Sequence, residues 1–214
     1  EATYLVMDGA PLFHLLSDKA PMSPPFFVEV GDLMPSALPL QAQALCREAA
    51  AVAIDRLGIR NGWTHTEVRL HRGRAVVIEC AARMGGGYFG EMIQTAFGID
   101  RMQMLVDLHL GRPPSAPSQP RCWVAGRRYV LNGRSHVQAF QNGAELFSDP
   151  DLRLVWPARL EDVPRLIVGP PLDFNNTVFE FLARASCAAA ATDKADAILR
   201  NAALSIVPAS DAAS

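Results

Sequence analysis

Between residues 67 and 87 stand two glutamates, an arginine and three consecutive glycines: Glu67, Glu79, Arg83 and Gly85-Gly86-Gly87. The glutamates fall in two β-forming runs, 64–70 and 75–81, on either side of Arg72-Gly73-Arg74. A three-residue loop predicts the pairs His71–Ala75, Arg69–Val77, Glu67–Glu79 and His65–Ala81. A two-residue turn would set Glu67 against apolar Ile78 instead. Directly opposed carboxylates have Cβ atoms about 5 Å apart and repel. Three remedies exist: one carboxyl keeps a proton, a basic side chain sits between them, or a divalent cation bridges them. Magnesium suits the last, since it prefers hard oxygen ligands and combines one or two carboxylates with phosphates. Spacing alone fits a solvated hairpin face equally well. Arg83 and the glycine loop tip the balance, because a glycine loop opening a helix offers free N–H groups and a favourable dipole to anions. A cation site, an arginine and an anion cradle so close together point to phosphate chemistry.

The elements that must position these groups can be read from pattern. Residues 3–17 form a hairpin around Asp8-Gly9-Ala10-Pro11, and 26–30, which includes Glu29, form a short strand closed by Gly31. Leu45, Ala49, Val52 and Leu57 recur at helical spacing within 39–58, with Gly58 as the stop. Helices follow the glycine loop at 89–97 and 101–110. The run 111–118 has the composition of a linker. Beyond it come β-rich segments at 122–131, 136–140, 152–156, 166–168 and 177–184, a helix at 193–203 and a strand at 204–207. A small, polar tail starts at Ala209 and is expected to be disordered. The chain is therefore expected to be α+β, with domains at 1–112 and 113–214.

Composition narrows the partners. Net charge is -2 with both signs interspersed, so neither a nucleic-acid footprint nor a polybasic membrane patch is present. No apolar run approaches the ~20 residues of a membrane span, and residues 1–6 do not form a secretory signal. Cys46, Cys80, Cys122 and Cys187 are scattered without a CxxC pair, which predicts free thiols and a cytoplasmic address. Met102 and Met104 are read as helix packing, and Arg127 and Arg128 as solvated. Cys187 has no recognisable base nearby and is rejected as a nucleophile.

The segments Thr64-His65-Thr66-Glu67 and Ile78-Glu79-Cys80-Ala81-Ala82-Arg83-Met84-Gly85-Gly86-Gly87 closely resemble the "HTE … EINARxGGG" signature of ATP-grasp ligases. The similarity is greatest to the branch of L-amino acid ligases and related carboxylate–amine ligases. It extends upstream to Phe26-Phe27-Val28-Glu29-Val30-Gly31 and downstream to Gly98-Ile99-Asp100 and Gly111-Arg112-Pro113. The resemblance implies the C-terminal lobe of the ATP-grasp fold, a mainly antiparallel sheet with flanking helices, followed by a small β-rich domain. It implies an enzyme that uses ATP and Mg2+, or Mn2+, to activate a carboxylate as an acyl phosphate. An amine then takes the acyl group, with release of ADP and phosphate. Glu67 and Glu79 would hold the metal, and Arg83 the γ-phosphate or the acyl phosphate. The Gly85-Gly86-Gly87 loop would approach the substrate carboxylate. Glu29 would face the amino group of an amino acid, and Glu1 would lie near the nucleotide ribose.

Two departures bear on these roles. The signature's asparagine two residues after the second glutamate, a further metal ligand, is Ala81 here, and Asp32 stands where this branch often carries histidine. The lobe that supplies phosphate-binding lysines and a glycine-rich lid has no counterpart in this sequence, whose only lysines are Lys19 and Lys194. The expectation is therefore a fragment that needs the N-terminal lobe of the same enzyme and is inactive by itself. A homodimer stays open. The alternatives are a degenerate, non-catalytic lobe used for binding or dimerisation, or a carboxylase- or carbamoyl-phosphate-type ATP-grasp enzyme.

Overall fold

A computed structural model describes residues 1–167 and 174–208. In chain order the elements are β1 (Ala2–Met7), β2 (Ala10–Leu16), β3 (Asp18–Lys19), β4 (Gly31–Met34), α1 (Leu40–Arg56), β5 (Gly62–His71) and β6 (Arg74–Ala81). They continue with α2 (Phe89–Phe97), α3 (Arg101–His109), β7 (Trp123–Val130), β8 (Ser135–Phe140), α4 (Gly143–Leu146), β9 (Leu152–Trp156) and β10 (Arg165–Ile167). The last three are β11 (Thr177–Ala185), α5 (Ala188–Asn201) and β12 (Leu204–Pro208). The mixture of helices and antiparallel sheets is the α+β class expected. The expected strand residue Val168 and the tail from Ala209 lie outside the described residues.

The chain divides into two compact units. The first contains residues 1–18 and 33–123, the second residues 19–32 and 124–214. Residues 19–32, early in sequence, thus belong with the later half.

In the first unit, four strands form an antiparallel sheet in the order β2-β1-β5-β6. Alternation gives each strand two faces. Tyr4, Val6, Val68, Leu70 and Cys80 turn to α1, where they meet Cys46, Ala50 and Ile54. This buried stripe of α1 differs from the expected Leu45, Ala49, Val52 and Leu57, of which Val52 and Leu57 are more than half exposed. The two series lie one residue apart, and the small residues Cys46 and Ala50 let the helix approach the sheet closely. Gly58, at φ 68°, supplies the left-handed residue, and Ile59 N donates to Ile54 O, closing a Schellman end. On the opposite face, Phe13, Trp63 and Phe97 meet edge to face with centroids 5.7–6.2 Å apart. Phe97 ends α2, whose Phe89, Met92, Ile93, Ala96 and Phe97 are buried at helical spacing. Asp100 then caps α3, accepting from Met102 N and Gln103 N.

The second unit holds a five-stranded sheet, β3-β4-β7-β11-β9, and a three-stranded one, β10-β8-β12. Tyr129, Phe140, Phe147, Phe179 and Phe181 form a connected aromatic cluster, with Phe179 fully buried. The expected strand at 26–30 is absent. That run follows the Pro24-Pro25 pair and includes Phe27 at φ 49°, and the strand begins at Gly31. Proline and a left-handed residue prevent an extended ladder there.

Candidate functional site

The β5–β6 hairpin decides whether the two signature glutamates meet. Glu67 pairs directly with Glu79, and His65 with Ala81. Nearer the turn the expected register is replaced: His71 pairs with Arg74, Leu70 with Ala75, Arg69 with Val76 and Val68 with Val77. The turn is the two-residue Arg72-Gly73, both at positive φ, not the three-residue loop. A β-bulge between Glu67 and Val68 absorbs the extra residue, Ile78, and restores the pairing of the glutamates. Ile78 is consequently 63% exposed. Two-residue turn and bulge together reach the same acidic pair as a three-residue turn without one.

The carboxylates spread into a row across neighbouring strands. Glu1, immediately before β1, lies with His65 and Glu67 so that one ligand atom of each falls within 4.8 Å of the others. His65 Nε2 is 3.4 Å from Glu1 Oε1, and Ser17 Oγ donates to Glu1 Oε2 at 3.3 Å. The Glu1 and His65 side chains are almost fully buried. Glu79 stands outside this three-residue group. Its carboxylate is about half exposed and meets Arg83 Nη2 at 3.4 Å. Arg83 also donates to the Met84 carbonyl. His65 and Ser17 are site neighbours that motif reading did not use. Alternation was the available signal for His65, two residues before Glu67 on the same face.

The glycine loop lies over the same face. Gly85 is pressed between two rings, since a Cβ there would stand 3.0 Å from His65 Nδ1 and 2.9 Å from Phe89 Cδ1. Gly86 faces open space, and Gly87 is left-handed at φ 56°. No side chain caps the start of α2, so its first N–H groups suit an anion. A hard-oxygen set on the sheet, Glu1, Glu67 and Glu79, thus adjoins an anion-compatible loop. This donor chemistry fits magnesium or manganese better than a soft metal.

Glu29 belongs to the second unit. It pairs with Lys19, and Arg128 reaches its carbonyl at 3.3 Å and its carboxylate at 3.9 Å. Arg127 and Arg128 are not solvated as expected. Both are 6% exposed. Arg127 binds Asp196 at 2.8 Å, and Arg128 binds buried Glu180 at 2.7 Å.

No family model matches the chain. Over 141 residues it is 33% identical to carnosine synthase 1 of Gallus gallus, covering 65% of this chain and 15% of that protein. It is 35% identical over 127 residues to alanine–anticapsin ligase of Bacillus subtilis, covering 56% of this chain and 26% of the relative. The fold matches an L-amino acid ligase from Bacillus licheniformis at TM-score 0.80 and 20% identity, over 98% of this chain and 51% of the other. It matches phosphoribosylglycinamide synthetase from Anaerococcus prevotii at TM-score 0.77 and 16% identity, over 97% and 52%. The chain therefore spans about half of these solved structures and about a quarter or less of these curated relatives.

Proposed function

We propose a function from the premise that this chain belongs to the ATP-grasp ligases: it is part of an enzyme that activates a carboxylate with ATP and joins it to an amine. ADP and phosphate would leave, with an acyl phosphate between the two half-reactions. The relatives named for alanine, anticapsin and carnosine support an amino acid as one substrate. The remainder of the enzyme, including a preceding lobe, would complete the nucleotide site.

The observation that carries this reading is the direct pairing of Glu67 with Glu79 beneath the glycine loop. Glu67 and Glu79 would hold magnesium, with manganese as a substitute. When bound, the metal would neutralise phosphate charge and orient the transferred group. Arg83, exposed at the edge of this face, would hold a phosphoryl oxygen pair through its planar fork. The uncapped start of α2 and the Gly86 and Gly87 amides would receive the substrate carboxylate. Glu1 would hold His65 and Ser17 in place at the buried end of the acidic row, the position now proposed for it beside the ribose role implied by family resemblance. Glu29 would meet the amine of an amino acid.

Ala81 favours a second reading, a binding lobe without catalysis, because it removes one metal-ligating oxygen. Nucleotide titration with the complete enzyme, with and without magnesium, separates the two. The ligase reading expects magnesium-dependent ATP binding and a Glu79→Gln variant with turnover reduced by roughly 10²-fold or more. Nucleotide binding indifferent to both chelator and Glu79→Gln would leave only the non-catalytic lobe.

A further inference from the structure

We infer that Arg101, at the start of α3, is a positioning residue for the Gly85-Gly86-Gly87 loop, holding it through the Gly85 carbonyl and the bare surface of Gly90. Arg101 Nη1 donates to Gly85 O at 3.0 Å. The same guanidinium lies flat over the first turn of α2. A Cβ on Gly90 would stand 1.7 Å from its Nη2, 2.3 Å from Cζ and 2.7 Å from Nε. Glycine inside a helix is a weaker former than alanine. The space occupied by Arg101 gives Gly90 a physical reason to be glycine. Arg101 is itself fixed to the sheet, because Trp63 Nε1 donates to its carbonyl at 3.1 Å.

The loop therefore has one gripped end and one open end. Gly85 is held by Arg101 on its carbonyl and by the His65 and Phe89 rings at its Cα. Gly86 faces open space, and Phe89 N reaches back to Gly86 O at 3.3 Å. Burial draws the Arg101 guanidinium below its ordinary pKa, while Glu91 and Asp100 oppose that shift from a distance. A charge so placed strengthens its bond to a backbone carbonyl. Arg101 acts on substrate only through the loop, so its role here rests on the assignment of that loop to the substrate carboxylate.

The test pairs Arg101→Ala with Gly90→Ala. Gly90→Ala leaves the charge intact but drives the guanidinium off the helix. Amide hydrogen exchange of Phe89 and Met92 in the 214-residue protein reads the loop and the first turn of α2. Each single variant is expected to speed exchange on the order of tenfold, the scale of a lost charge-assisted bond. The double variant is expected to be no worse than Arg101→Ala alone, and to melt higher, since alanine then replaces a helical glycine without obstruction. Arg101→Lys should recover part of the protection. Unchanged exchange in Arg101→Ala, or additive damage in the double variant, overturns the positioning role.

Activity of the complete enzyme supplies the second arm. Arg101→Ala should raise KM for the acid substrate on the order of tenfold while KM for ATP stays within about twofold. If exchange quickens as expected but both KM values stay put, the positioning stands. The assignment of the loop to the substrate carboxylate is then what fails.

Discussion

Arg83 has a side chain 56% exposed, and its polar contacts are one glutamate and one neighbouring carbonyl. Packing thus demands little of it, while a phosphate role demands its planar fork. Arg83→Lys in the complete enzyme should lower kcat by roughly 10²-fold or more and leave the melting temperature nearly unchanged. Near-normal turnover in a destabilised variant would remove Arg83 from the site. Arg128 is its opposite. Arg128→Met strands Glu180, 9% exposed, without its cation and should cost about 3–5 kcal/mol in urea unfolding. Adding Glu180→Leu should recover much of that loss. A cost under about 1 kcal/mol for the single variant would show that water already compensates Glu180. These two arginines also mark what the sequence could disclose. Arg83 sits in a motif four residues from its glutamate, so its setting is local. Arg127 and Arg128 find their carboxylates 69 and 52 residues away. Nothing in the neighbouring residues reveals that burial, and arginine's usual exposure misled.

Both hairpins of the first sheet solve their register by the same device. Asp8-Gly9 and Arg72-Gly73 are two-residue turns with positive φ throughout, and each is followed by one bulged residue, Leu12 or Ile78. Bulging leaves both of these apolar side chains exposed. The turns were visible as glycine-bearing breaks in alternating strands. The bulges were not, because one extra residue leaves no mark in composition and shows only as a slip in pairing. The glycines separate cleanly by what surrounds them. Gly73 stands at φ 74° with open space around it, so Gly73→Ala should cost about 1–2 kcal/mol from backbone strain alone. Gly86 has open space and no positive φ, so Gly86→Ala should leave stability within about 0.5 kcal/mol. Denaturant unfolding of the two variants checks the contrast, and equal effects would refute this account of the loop.

At the scale of the whole chain, the compact units do not follow the order of residues. The expected boundaries, 1–112 and 113–214, rest on the proline-rich run near 113–118. The contact division instead falls after Trp123 and assigns 19–32 to the second unit. A linker-like composition is a local signal, whereas strand exchange between distant segments is not. The second unit depends on that early segment through specific bonds. Arg128 N donates to Val30 O at 2.9 Å, Arg127 Nη1 to Asp32 O at 3.2 Å, and Arg128 Nη1 to Glu29 O at 3.3 Å. A chain cut to 113–214 loses all three and leaves β7 with an unpaired edge, which invites self-association. It should melt broadly and elute as oligomers. Joining 19–32 to its N-terminus through a flexible linker should restore a monomer with a sharper transition. Circular dichroism and size-exclusion chromatography of the two proteins decide between a contiguous and a discontinuous second domain. A cooperative, monomeric 113–214 would show that the early segment is dispensable, and the boundary near the proline-rich run would then stand.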